Sequence, residues 1–248
     1  MSSSVLKKAY ERWQTTGGPG GGTPRPLADD YELGSLLGIP PAAVEDYAAL
    51  ASRIELVLAN EVRRTLVVGG TGRGAGATTV AVGLSAALAV TVRAPVLLVD
   101  GNLRGPALHT KFHVERAPGL TEVVRDGAGV ARVAHATAVP RLTLLTSGSE
   151  VRSPQSFFQL PAFREHLQAW TRDYAYVVFD SVSFGPVADP LSLGQAVSGA
   201  VMVVEAGRTV REVAAETAEE MRRAGIRLLG AVLNRRRFYV PDWIYRRV

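Results

Sequence analysis

The chain has 248 residues, 47% of them hydrophobic, which is enough for one substantial α/β core with appendages. It contains no cysteine, so disulfides, thiol catalysis and cysteine-ligated metals are excluded, and a reducing cytosol fits. The net charge of +5 rests almost wholly on arginine, with lysine only at Lys7, Lys8 and Lys111, and it selects no partner class by itself.

The opening stretch MSSSVLKKAYERW lacks the apolar core of a secretion signal, and residues 2–14 fit a short amphipathic helix. Residues 15–27, TTGGPGGGTPRPL, read as a linker, because glycine keeps the backbone free and proline blocks regular pairing. In 42–60, Val44, Tyr47, Leu50, Ile54, Val57 and Leu58 recur at helical spacing. The expected organisation is a flexible arm and linker over 1–41, a folded domain over 42–234 and a basic-aromatic tail over 235–248.

From Arg64 the pattern becomes strand, turn and helix, repeated. Apolar runs of strand length stand at 65–69, 95–100, 141–146, 174–180, 200–205 and 227–234, and helix-like segments at 77–90, 160–172 and 209–224 separate most of them. Continuous apolar strands alternating with helices predict an α/β fold, a doubly wound, mostly parallel sheet of P-loop type with helices on both faces. Residues 74–92 carry no charge and are long enough to imitate a membrane span. Their glycines, threonines and serine, and their place after a strand and turn, favour a buried helix.

In such a sheet the ligand lies beyond the C-terminal ends of the strands. The first strand runs into Gly70-Thr71-Gly72-Arg73-Gly74-Ala75-Gly76-Ala77-Thr78-Thr79. Glycines let backbone amides converge on phosphate oxygens, and the helix that follows offers its positive end. Thr78 stands where a hydroxyl reaches Mg²⁺, and Ala77 where a phosphate loop places its lysine. The second strand ends in Asp100, with Asn102 and Arg104 just beyond, and the fourth ends in Asp180, with Asp189 further on. Carboxylates at strand ends downstream of a phosphate loop suit Mg²⁺ or a metal-bound water. The four histidines, His109, His113, His135 and His166, show no metal-ligand spacing.

Together these residues resemble the bacterial tyrosine kinase family (BY-kinases), a branch of the P-loop ATPases that includes MinD and ParA. The resemblance covers residues 42–248. Its motifs are a Walker A loop, an A-prime strand with Asp-x-Asp-x-Arg, and a Walker B strand ending in Asp; PGLTEVVRDG (118–127), LTLLTSGSEVRSPQSFF (142–158) and GAVLNRRRF (230–238) look like further family segments in order. It implies an ATP/ADP site with Mg²⁺ built from Gly72, Arg73, Gly74, Gly76, Ala77, Thr78, Thr79 and Asn234, the last near the adenine. Asp100, Asn102 and Asp180 take the catalytic places, and Thr78, Asp100 and Asp180 the metal. It also implies tyrosine phosphorylation, with Tyr239 and Tyr245 as phosphoacceptors. The implied partner is the cytoplasmic portion of an inner-membrane polysaccharide co-polymerase, serving exopolysaccharide or capsule synthesis and export. The protein is then cytoplasmic and drawn to the membrane by that partner.

The chain departs from the pattern at telling places. Ala77 replaces the Walker A lysine, and residues 9–110 contain no lysine to substitute, leaving Arg73 as the candidate rescue. A charge-assisted hydrogen bond to phosphate contributes roughly 1.5–3 kcal/mol, so affinity falls by about one to two orders of magnitude without it. Asn102 replaces the second A-prime aspartate, and Ser183 a Walker B proline. In the helix before the first strand, Glu45 is followed by Ala48 and Ala51 where the family closes subunit rings with Glu-x-x-Arg-x-x-Arg. These losses imply a pseudokinase that scaffolds or regulates, with weak or absent catalysis and doubtful ring assembly. The alternative is a ParA/MinD-like ATPase switch that positions a cargo. The tail RRRFYVPDWIYRRV carries five arginines among four aromatic residues, which suits a thin tyrosine cluster, a membrane-surface patch or a segment packed on its own domain. No helix-turn-helix or RNA motif is visible, and no specific nucleic acid is expected.

Overall fold

The computed structural model describes residues 41–184 and 188–236. The arm and linker readings at 2–14 and 15–27, and the tail from 237 onward with Tyr239 and Tyr245, lie outside the described residues.

Helix α1 (Pro41–Val57) leads into strand β1 (Thr65–Gly70), the phosphate-loop segment and helix α2 (Ala77–Thr91). Strand β2 (Val96–Asp100) follows, then the short helices α3 (Leu108–Phe112), α4 (Leu120–Asp126) and α5 (Val130–Val133). Next come β3 (His135–Ala136), β4 (Leu142–Leu145), α6 (Pro154–Gln159), α7 (Pro161–Asp173) and β5 (Tyr176–Asp180). The chain continues through α8 (Ala188–Ala196), β6 (Gly199–Glu205), α9 (Arg211–Arg223) and β7 (Leu228–Asn234). The sheet order is β3-β4-β2-β5-β1-β6-β7, parallel except where β3 joins β4.

Alternation within the strands sends side chains to two cores, because successive residues of a strand point to opposite faces. Leu66, Val68, Leu98 and Val178 pack with α1 and α2, while Val67, Leu97, Val99, Val177 and Phe179 pack with Phe158, Phe163, Trp170 and Leu193 on the other face. The doubly wound architecture expected from the apolar runs is therefore present. The uncharged stretch after the loop becomes α2, buried without interruption from Val80 to Ala89 beneath α1 and the sheet. Among the described residues no helix is long and apolar enough to cross a membrane.

Helices α3, α4, α5, α6 and α8 and strand β3 went unassigned in the sequence. Most are too short for periodicity to register, and local chemistry fixes several of them. Proline occupies the first turn of α6 and α7, where its missing N–H costs nothing. At α4 the Glu122 carboxylate accepts from the Gly119 amide at 2.6 Å and from the Ser149 amide at 3.1 Å, joining the helix start to the chain beyond β4. Coverage thins at the outer strand β7, where Leu228 and Leu233 are exposed.

Candidate functional site

The parallel register brings the predicted residues to one end of the sheet. β1 lies between β5 and β6, and Asp100 is the direct neighbour of Asp180 across the β2–β5 pair. The loop after β1 is braced against β6: the Thr71 amide donates to the Val203 carbonyl at 2.9 Å, and its hydroxyl meets that of Thr209 at 3.2 Å. Gly74 and Gly76 adopt φ of 88° and 92°, a conformation that other residues reach only with strain, and Gly76 caps α2. Gly72 shows no such requirement: a Cβ there would meet nothing within 4 Å. Ala77 and Thr78 open α2, both partly buried, and Thr79 is exposed.

The two carboxylates are unlike. Both are fully buried. Asp100 accepts backbone amides from Asn102 at 3.3 Å, Ala107 at 3.0 Å and Leu108 at 2.9 Å. Burial raises its pKa to about 6, and those amides limit the rise. Neither oxygen of Asp180 completes a well-formed hydrogen bond. Burial, with Asp100 alongside, pushes its pKa up to about 8, although the nearby Thr78 hydroxyl and the charge of Lys111 draw it down. A buried carboxyl without partners, beside a second acid and a helix-start hydroxyl, is a donor set that fits Mg²⁺ carried by a nucleotide. Among the described residues no cluster of three or more His, Asp or Glu exists, so phosphate oxygens and water must complete such a metal's shell.

Other predicted residues make contacts that the sequence does not show. Asn102 folds its side chain onto its own loop: its amide donates to the Gly105 carbonyl at 2.8 Å, and its oxygen accepts from the Gly105 amide at 3.1 Å. Arg104 grips Asp189 with two hydrogen bonds and ties the A-prime loop to α8. Asn234 donates to the Ala75 carbonyl at 2.8 Å, so the residue implied for the adenine also fastens the phosphate loop to the end of β7. It borders a groove of about 690 Å³ lined in part by Tyr47, Leu50, Arg53 and Val80. Arg73 is exposed at the loop tip.

The lysine-free span 9–110 ends one residue short of Lys111, which lies on α3 and whose charge acts on Asp180. The turn after Asp100 doubles back to give Asp100 its capping amides, and Lys111 follows one turn later on α3. Its signal in the sequence was rarity, since no other described residue is a lysine.

No family model matches the chain. Across 190 residues, 77% of this chain and 80% of the relative, the sequence is 30% identical to tyrosine-protein kinase YwqD of Bacillus subtilis. The chain belongs to the bacterial tyrosine-protein kinase family. The kinase domain of the Escherichia coli tyrosine kinase ETK covers 94% of this family member, itself covered to 91%, with a TM-score of 0.74 at 20% identity. The septum site-determining protein MinD of Pyrococcus horikoshii, solved with Mg-ADP, covers 75% of it and is covered to 76%, with a TM-score of 0.57 at 21% identity. These two likenesses establish the P-loop fold of this tyrosine-kinase relative. Ala77 stands at the head of α2, one residue before Thr78.

Proposed function

We propose that this protein is a catalytically weak or inactive tyrosine-kinase relative that binds MgATP or MgADP. In this reading it scaffolds or regulates a membrane polysaccharide co-polymerase in exopolysaccharide or capsule export. The observation that carries the reading is the mismatch within one site. The glycine loop, Thr78, Asp100 and the unpartnered Asp180 remain, while the loop's own cation is gone at Ala77. Amides of 72–79 and the start of α2 receive phosphate, Thr78 and Asp180 hold the metal, and Asp100 is locked in place by three amides. Bound MgATP would supply the transferable phosphoryl group and the metal's charge. Phosphoryl transfer depends on charge positioned in advance, so losing a loop lysine harms turnover more than binding. Asn102, spent on its own loop, offers neither a negative charge nor a free proton acceptor.

The deciding experiment is calorimetric titration with MgADP and MgATP, beside Ala77→Lys, followed by an assay for phosphate on Tyr239 and Tyr245. Measurable binding with phosphorylation at least about 100-fold below that of Ala77→Lys, Asn102→Asp is expected. Turnover equal to that variant's would overturn the inactivity. ATP hydrolysis without tyrosine phosphorylation would favour the MinD-like switch.

A further inference from the structure

The loop has lost its lysine, and three cations are candidates to take its place. Arg73 extends from the loop tip into solvent. Arg208 approaches the loop at Gly74, where its guanidinium comes to 4.0 Å of a position a Cβ would take. However, it is 71% exposed and pairs with Glu205 at 3.5 Å, so water screens it and a carboxylate already claims it. Lys111 differs from both. It is partly buried, its charge acts on Asp180, and no ion pair within 4 Å engages it among the described residues.

Its placement follows from a chain of contacts. β2 ends at Asp100, and the chain turns through Asn102 to Gly105, held there by the paired Asn102 hydrogen bonds. It then returns so that the amides of Ala107 and Leu108 bond Asp100. α3 begins at that contact, and the Lys111 amide donates to the Ala107 carbonyl at 3.0 Å, one turn on. The element pinned to Asp100 therefore carries Lys111, whose charge acts on Asp180. The Thr78 hydroxyl and the charge of Lys111 both act on Asp180. Lys111 thus acts on the same carboxylate as Thr78, the neighbour of Ala77 in the chain. Its partial burial strengthens any charge interaction relative to water, and its four-carbon stem lets a compact ammonium swing onto a phosphate oxygen.

We propose that Lys111 supplies from α3 the phosphate-binding positive charge that Ala77 no longer supplies from the loop. The inference rests on the nucleotide reading of the site and adds to it a specific residue. It accounts for the one described lysine in a chain that uses arginine for every other described side-chain cation apart from histidine. It also makes the two lysine positions interchangeable, which a counter-ion for Asp180 alone would not do.

The test is calorimetric titration of the full chain with MgADP in a two-by-two set: native, Lys111→Gln, Ala77→Lys, and the double variant. Arg208→Gln and Lys111→Met are run beside them, with thermal melts to verify folding. Lys111→Gln and Lys111→Met should each weaken binding by about tenfold or more, while Arg208→Gln stays within about twofold. Ala77→Lys should restore the Lys111→Gln protein to at least native affinity, and should gain less in the native background, because one cation already serves the phosphates. Native affinity retained by both Lys111 variants, or a loss that falls on Arg208→Gln instead, would overturn the assignment. So would equal gains from Ala77→Lys in both backgrounds. If the native chain binds nothing and Ala77→Lys binds, Lys111 falls and the nucleotide site stands; if neither binds, the nucleotide reading falls with it.

Discussion

Asp180 is the residue on which the site turns, and its pH behaviour is predictable. An exposed aspartate titrates near 3.9, whereas burial and then Asp100 raise Asp180 to about 8. A raised carboxyl pKa means that the folded chain holds the proton more tightly than the unfolded chain does. The stabilisation is complete below about pH 4 and is lost as pH rises through about 8. The melting temperature should therefore fall between pH 5 and pH 8.5. Asp180→Asn, which removes the charge but keeps the shape, should flatten that fall and melt higher than the native chain at pH 8. Calorimetric scans across that range decide it, and parallel slopes in the two proteins would relocate the effect to other groups. At this scale the sequence was legible where a residue type has few uses: two aspartates at strand ends, and glycines before a helix. It was silent where folding sets the partner. Asn234 and Arg104 match the family pattern and Asn102 departs from it, yet no pattern shows that Asn102 bonds its own loop, Asn234 the phosphate loop and Arg104 Asp189. Lys111 escaped notice because proximity was judged along the chain rather than across the turn that returns to Asp100.

Strands β1, β2, β5 and β6 were legible as elements because burial on both faces leaves continuous apolar runs, and α2 because it follows a glycine turn without a single charge. β3, two residues long, has no pattern to read. What no pattern shows is how elements interlock. Gly69, inside β1, has no side chain, and the ring of Phe184 occupies that space: a Cβ would fall 2.5–2.9 Å from three ring carbons. Phe184 is fully buried, and its amide donates to the Gly70 carbonyl at 2.8 Å, so the ring fixes the segment after Asp180 against the start of the phosphate loop. Gly69→Ala should cost about 1–3 kcal/mol through overpacking. Phe184→Leu added to it should recover part of the loss, giving a favourable coupling in a double-mutant cycle measured by urea unfolding. Strict additivity would mean that the ring yields without strain and does not hold the two segments together.

For the whole molecule the question is whether copies join through α1, as the family resemblance implies for rings. Glu45 is exposed on α1, but Ala48 is partly buried and Ala51 is wholly buried in the core that α1 shares with α2. Tyr47 fills the other part of that contact, with its ring over Gly83 and its hydroxyl 3.4 Å from the Thr79 carbonyl. Seating α1 this closely on α2 favours small side chains at the contact, and a small residue at 51 meets that demand. Ala48 and Ala51 thus stand where the resemblance implies a ring motif's cations, and Ala51 fits the close cover over the helix that starts at the phosphate loop. A stable interface typically buries some 1,200–2,000 Å² in total, and α1 offers mixed charge and scattered apolar residues such as Leu56. Light scattering at tens of micromolar should accordingly return a monomer. Reinstalling the cations should separate the two positions. Ala48→Arg, whose stem can run along the helix to solvent, should fold with near-native stability. Ala51→Arg must displace α1 or bury a charge, and should cost about 2–4 kcal/mol in chemical denaturation, weakening MgADP binding through the shifted α1–α2 contact. If Ala51→Arg instead left stability unchanged and produced oligomers, α1 would have to sit differently on α2, and the loss of ring assembly would trace to the missing charges alone.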